Sequence, residues 1–171
     1  MHAVARTGIA GQPAFGETVF LGTASSATGW VATALRLSLT LARGLDVSTA
    51  RGDARFRWLV AVAEACPIRL GGPSLAARLC ADIEGGALLA EGVNAPEAQS
   101  VARPWVAPGL ALRGEWLATD ALSFELQIGA MMPLLRDSFG FGPPGVPPVL
   151  VLPEVPPVFA STSLGIALRT P

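Results

Sequence analysis

Cys66 and Cys80 each stand seven residues from Pro73, on either side of the run Gly71-Gly72-Pro73-Ser74. In a hairpin turning on that run the two thiols are directly opposed, at a separation a disulfide bridges. A bridge there points to an oxidising compartment; two free buried thiols are the alternative. A metal centre needs more ligands than two thiols without a neighbouring His. The same register sets Glu64 opposite Asp82 and places Arg78 on the cysteine face with Asp82 and Glu84. A second hairpin, centred on Thr119, sets Arg113 opposite Glu125. Charges gathered on one face of a sheet cross-pair. Inside a barrel they line the lumen, either as an ion path or small-solute site or, where the barrel is too narrow to conduct, as an ion-paired plug.

Catalytic chemistry has little to draw on. The sole His is His2, expected to be exposed at the terminus, so a nucleophilic Ser lacks a base. Gly71-Gly72 and Gly85-Gly86 lack the spacing and the Lys of a phosphate-binding loop. Asp82 and Glu84 point the same way from one strand, and no carboxylate can be named across a cleft from them. No catalytic residue, cofactor or metal is expected. A net charge of −1 and a pI near 5.8 supply no basic field, which argues against nucleic acid as a partner.

The elements that hold these residues read as strands. Leu122, Phe124, Leu126, Ile128, Ala130, Met132 and Leu134 alternate with Ser123, Glu125, Gln127 and Gly129, so one face is apolar and the other polar. Leu35, Leu37, Leu39 and Leu41 alternate with Arg36, Ser38 and Thr40, and Leu164, Ile166 and Leu168 with Ser163, Gly165 and Ala167. The first run is longer than the ~5–6 residues usual in globular sheets and matches the ~9–11 of a tilted membrane strand. Mean hydropathy is +0.49 with 51% hydrophobic residues, yet no stretch is apolar and long enough for a transmembrane helix. High hydropathy without such a helix is what alternating lipid-facing strands produce, and an Ala- and Leu-rich soluble core is the alternative source.

Extended segments are expected at roughly 15–23, 30–42, 54–70, 75–90, 104–118, 121–141 and 158–169. Together they predict an all-β fold, a single antiparallel up-and-down β-barrel of about eight strands over residues 1–171. Residues 1–14 are a poorly ordered lead or the remnant of a first strand. In this barrel Leu122, Phe124, Leu126, Ile128 and Leu134 face lipid, while Glu64, Arg78, Asp82, Glu84, Arg113 and Glu125 face the lumen. Ser74, Leu75, Leu79 and Ile83 also satisfy a capped helical period, against which Gly85-Gly86 and the cysteine placement argue. Phe56, Trp58, Val60 and Val62 share parity with Glu64, so that strand is not cleanly amphipathic unless a β-bulge intervenes.

Short turns at 24–28, 71–74 and 119–120 alternate with long connections at 43–53, 91–102 and 142–157. That is the pattern of periplasmic turns and external loops in outer-membrane barrels. Trp30, Trp58, Trp105, Trp116, Phe139, Phe141 and Phe159 lie near strand ends, where interfacial girdles are expected. Seven prolines between Gly142 and Pro157 exclude a central strand there and predict an external loop, with Val149 to Leu152 free to pair at an edge.

The run Ala65-Cys66-Pro67, Leu79-Cys80-Ala81, Glu84-Gly85-Gly86, Arg103-Pro104-Trp105, Gly129-Ala130, Pro133-Leu134 and Arg136-Asp137-Ser138-Phe139 resembles uncharacterised myxobacterial proteins predicted to form outer-membrane β-barrels. The likeness covers roughly Ala54 to the C-terminus. It implies a fold and a bacterial outer-membrane location, with the lipid bilayer as partner, and no activity. This chain departs from that pattern in two places. Met1 to Arg6 shows no export signal, so the start is miscalled, the chain is a fragment, or it is not exported; and Ala167 to Pro171 lacks a terminal aromatic. The rival expectation is a soluble secreted or periplasmic barrel whose inward leucines enclose an apolar ligand.

Overall fold

A computed structural model describes residues 1–7, 12–25, 31–49, 52–93, 100–136, 140–141, 150–151 and 155–169. The strands, in chain order, are β1 (His2–Thr7), β2 (Pro13–Ala24), β3 (Val31–Gly44), β4 (Val47–Thr49), β5 (Gly52–Gly71), β6 (Leu75–Val93), β7 (Ser100–Leu117), β8 (Leu122–Met131), β9 (Gly140–Phe141), β10 (Leu150–Val151) and β11 (Phe159–Leu168). Eight of them close an antiparallel barrel in the order β3-β2-β1-β11-β8-β7-β6-β5, with β5 pairing back to β3; β4 adds to the edge of β5. No helix occurs among the described residues, and the 75–90 segment is strand throughout.

Register fixes the barrel's dimensions. Moving from partner to partner, Ile68 leads to Leu79, Leu112, Ile128, Thr162, Ala5, Phe15, Arg43 and then Arg57, so one circuit returns to β5 eleven residues away (68 − 57). One of the eleven is the extra residue of a bulge in β5 between Ala65 and Ile68, which leaves a stagger of ten. An odd stagger would swap inside for outside, because strand side chains alternate. The bulge restores parity. With eight strands, ~3.3 Å per residue and ~4.8 Å between strands, this stagger sets a tilt of about 41° and a radius of about 8 Å. A cylinder that narrow is filled by its own side chains.

The two faces are inverted relative to a soluble protein. Leu35, Leu37, Leu39, Leu41, Leu110, Leu112, Phe124, Leu126, Ile128, Leu164 and Ile166 all stand exposed on the outer wall. On β3 the outward apolar positions run from Val31 to Leu41, a belt about 25 Å tall at this tilt. Arg43 stands above it. Within the belt, Glu17 on β2 faces outward between Phe15 and Val19.

The interior is layered. At the end carrying the long connections, Phe56, Trp58, Val60, Leu88, Trp105, Val155 and Phe159 form an apolar plug. Trp105 meets Trp58 and Phe159 edge to face, at 6.4 and 5.2 Å between ring centroids. Three of the aromatics expected in girdles are therefore inside: parity puts Trp58 on the face of Glu64 and Trp105 on the face of Arg113. No bulge separates Trp58 from Glu64, because the interior itself changes from aromatic to charged along β5. Trp116 does face outward at the turn end, stacked on Phe124 at 5.4 Å. Trp30 and Phe139 lie outside the described residues, as does the side chain of Phe141.

Several expectations shift in detail. Residues 1–14, expected as a disordered lead or a strand remnant, supply β1, which closes the barrel between β2 and β11. Within the 121–141 segment the barrel strand ends at Met131, two residues before Pro133, and Gly140–Phe141 forms the separate β9. Leu134 keeps its outward parity beyond the strand end and donates to the Val106 carbonyl at 2.9 Å. Residues 142–149 and 152–154 lie outside the described residues, and Leu150–Val151 pairs with Gly140–Phe141 apart from the barrel sheet.

Candidate functional site

In the middle of the lumen, buried titratable groups of both signs converge. Below the aromatic plug, Arg6 of β1 reaches Glu84 of β6 with two hydrogen bonds, 3.0 and 2.7 Å long. Its guanidinium also lies 5.9 Å from the Trp58 ring, tying the charged layer to the apolar one. Deeper, Arg113 of β7 donates to Glu64 of β5, which also accepts from Gln127 Nε2 at 2.7 Å. Arg36 of β3 crosses to Glu125 of β8 at 2.6 Å, and His2 Nε2 approaches the same carboxylate at 3.0 Å. Arg36 also covers the Phe20 ring at 3.9 Å. Nearest the turn end, Glu115 holds Arg78 at 3.0 Å and Arg113 at 3.2 Å, and Arg78 donates to the Ala32 carbonyl at 2.8 Å. Charge-assisted pairs of this geometry are the strong kind.

All six charges expected to face the lumen are there: Glu64, Arg78, Asp82, Glu84, Arg113 and Glu125 are each buried inside the barrel. Phe124, Leu126, Ile128 and Leu134 are exposed on the outer wall, and Leu122 is half-buried at the start of β8. Glu64 lies opposite Asp82 in the β5–β6 register as expected. Arg113 does not lie opposite Glu125. Its partner is Gln127, and Glu125 faces Glu115, because the turn spans 118–121 and closes through Ala118 N–H to the Leu122 carbonyl at 3.0 Å. Thr119 Oγ1 caps that turn by accepting from Leu122 N–H at 3.1 Å. The two-residue slip preserves which face each side chain occupies, so Arg113 finds Glu64 across the lumen instead.

His2 overturns another expectation. It is buried, with Ser163 Oγ at 3.3 Å from Nδ1 and Phe20 edge-on at 4.8 Å. Gly165, its register partner on β11, makes the space: a Cβ there would collide with the Met1 carbonyl and the imidazole. Arg6, Arg36 and Glu115 also went unassigned from the sequence. The parity of Arg36 against Leu35 and Leu37 was the available signal.

Cys66 and Cys80 are buried in the lumen and joined in a disulfide with Cα atoms 4.0 Å apart, in a layer with Ala34 and Ala111. Among the described residues, the single set of three metal-capable side chains within 4.8 Å is Glu64 with these two cysteines, whose sulfurs are already bonded to each other. Beyond this layer the lumen opens at the turn end into a vestibule of about 1360 Å³, with Arg36, Arg78, Arg113 and Glu115 among its lining. At the opposite end, outside the lumen, Arg55 bonds Asp46 at 2.9 Å and holds that carboxyl below its ordinary range. Searched against protein-family models, curated proteins and solved structures, the chain finds no match.

Proposed function

We propose that this protein is an outer-membrane-type β-barrel with a structural or surface role and no catalytic centre. The observation that carries this reading is the inversion of its faces: an outer wall of exposed leucines around an interior of paired charges. In water an apolar surface of that extent drives association. In a bilayer it is the matching surface, and its height of about 25 Å equals that of the apolar band of such barrels. The disulfide favours an oxidising compartment such as the periplasm or cell surface. The rival, a soluble barrel closing inward leucines around an apolar ligand, needs an interior this lumen does not offer, since its leucines of clean alternation point outward.

The lumen is too occupied to serve as a pore. The Trp58, Trp105 and Phe159 cluster closes one end and cross-lumen ion pairs close the middle, so the reading is of a barrel that does not conduct ions. The test is partition. The folded protein is expected to require detergent or lipid to remain monodisperse and to float with lipid vesicles. A monodisperse, folded protein in plain buffer that stays with the soluble fraction would overturn the proposal.

A further inference from the structure

We propose that the lumen binds one monovalent cation at Asp82, between Glu64 and Glu84. Five carboxylates line the charged interior, and four have an arginine partner: Glu84 has Arg6, Glu64 has Arg113, Glu115 has Arg78 and Arg113, and Glu125 has Arg36. Asp82 has none among the described residues. It is 7% exposed, and its Oδ1 is sealed from solvent with no hydrogen-bond partner. Glu64 lies directly across the β5–β6 ladder from it, and Glu84 is the next inward residue on its own strand. Three carboxylates thus share a stretch served by two guanidiniums, Arg6 and Arg113. One negative charge is left over in a site largely closed to bulk solvent, an unfavourable arrangement without a counter-charge.

The space beside Asp82 suits such a counter-charge. A cavity of about 60 Å³ adjoins it, lined by the three carboxylates and by the hydroxyls of Thr18, Ser38 and Thr40, and also by His2 and by Arg6 and Arg36, whose guanidiniums are already paired with Glu84 and Glu125. A single water needs only ~10–15 Å³ of volume measured this way, so the cavity takes an ion together with a few waters. Hydroxyl and carboxylate oxygens are the ligands hard cations prefer. The charge of that cation follows from the geometry. Asp82 belongs to no set of three His, Cys, Asp or Glu ligand atoms within 4.8 Å among the described residues. A divalent ion, which favours several carboxylates in its shell, is matched less well here than a singly charged one. An alkali cation coordinated by Asp82 and completed by hydroxyls and water supplies the one positive charge the stretch lacks. The inference needs only the lumen, so it stands or falls independently of what surrounds the outer wall.

The test compares thermal unfolding of the purified folded barrel in NaCl or KCl with unfolding in choline chloride at equal ionic strength, because choline is too large for the cavity. A saturable rise in midpoint is expected with the alkali salt, of ~5–10 °C once the ion reaches about 100 times its Kd. Asp82→Asn is expected to abolish the salt dependence while unfolding in choline chloride at a higher temperature than the wild type. Excess broadening of the ²³Na resonance by the wild-type protein, displaced by K⁺ and absent with D82N, reports the same site without any unfolding. Equal midpoints in the two salts with no ²³Na broadening would overturn the proposal and leave a proton as the neutralising partner. Retention of the Na⁺ effect by D82N would overturn it as well.

Discussion

Replacing Arg113 by Met tests whether the lumen's ion pairs hold the barrel shut. Arg113 is 2% exposed and donates to Glu64, with its Nε 3.2 Å from Glu115. Without it Glu115 keeps Arg78 at 3.0 Å, so the loss falls on Glu64, left with the Gln127 amide at 2.7 Å and with Asp82 opposite. A buried carboxylate stripped of its cation costs ~3–5 kcal/mol. The outer-wall pair Arg57–Glu91, 3.3 Å long and about half exposed on both sides, sets the contrast. Arg57→Met is expected to cost at most ~1 kcal/mol. Adding Glu64→Met to Arg113→Met removes the orphaned charge and is expected to recover most of the loss, because apolar replacement of a whole buried pair is often neutral or stabilising. Equilibrium urea unfolding, followed by the emission of buried Trp58 and Trp105, reads all four proteins as midpoint shifts at constant m-value. An R113M cost no larger than that of R57M, or a double variant no more stable than R113M, would refute the reasoning.

Three further outcomes follow from the same structure. Leu126→Arg places a charge on the outer belt and is expected to cost ~2–4 kcal/mol and reduce the fraction folded into lipid vesicles, measured by gel mobility with and without heating, whereas the same change at exposed Leu70 near the turn end is expected to cost less. Gly165→Ala forces a methyl against the Met1 carbonyl and the His2 ring and is expected to lower stability by at least ~1–3 kcal/mol, seen in thermal unfolding. Reduction of the Cys66–Cys80 bridge, which spans 14 residues, is expected to slow electrophoretic migration of the denatured chain and to remove ~3 kcal/mol of stability; unchanged mobility would refute the bridge.

How far the sequence could be read depended on how local each signal was. Alternation in Leu35 to Leu41, Leu122 to Leu134 and Ser163 to Leu168 is written residue by residue, so both strand and face followed from it. The cysteines and the Glu64–Asp82 pair were legible because they lie a short span from the 72–74 turn, although the register next to the turn is offset by one and the bulge between Ala65 and Ile68 is what brings Glu64 opposite Asp82. The slip of Arg113 from Glu125 to Gln127 was not, since a shift of two leaves the hydropathy pattern unchanged and only the Ala118–Leu122 closure decides it. Cross-lumen partners such as Arg6 and Glu84, 78 residues apart, arise only when the sheet closes, and nothing near either residue announces the other. Trp58 and Trp105 misled because proximity to a strand end says nothing about which face a ring occupies. His2 was read from its position in the chain, when its neighbours are set by the seam.

That seam, β1 against β11, is the least local pairing of the barrel. Only five register pairs join the two strands, and they link His2–Arg6 to Ser161–Gly165, residues at opposite ends of the chain. β1 also pairs with β2 over a short span, so the long-range cost of loop closure falls on joining the β1 edge to β11. Docking β1 then does two things at once: it completes the ladder and delivers Arg6 to Glu84 and His2 to Glu125. Until that moment the two carboxylates face an open sheet where water can hydrate them, and afterwards they cannot be rehydrated without lifting β1 away. Closure therefore behaves as a latch, whose release requires exposing the charges it has just buried.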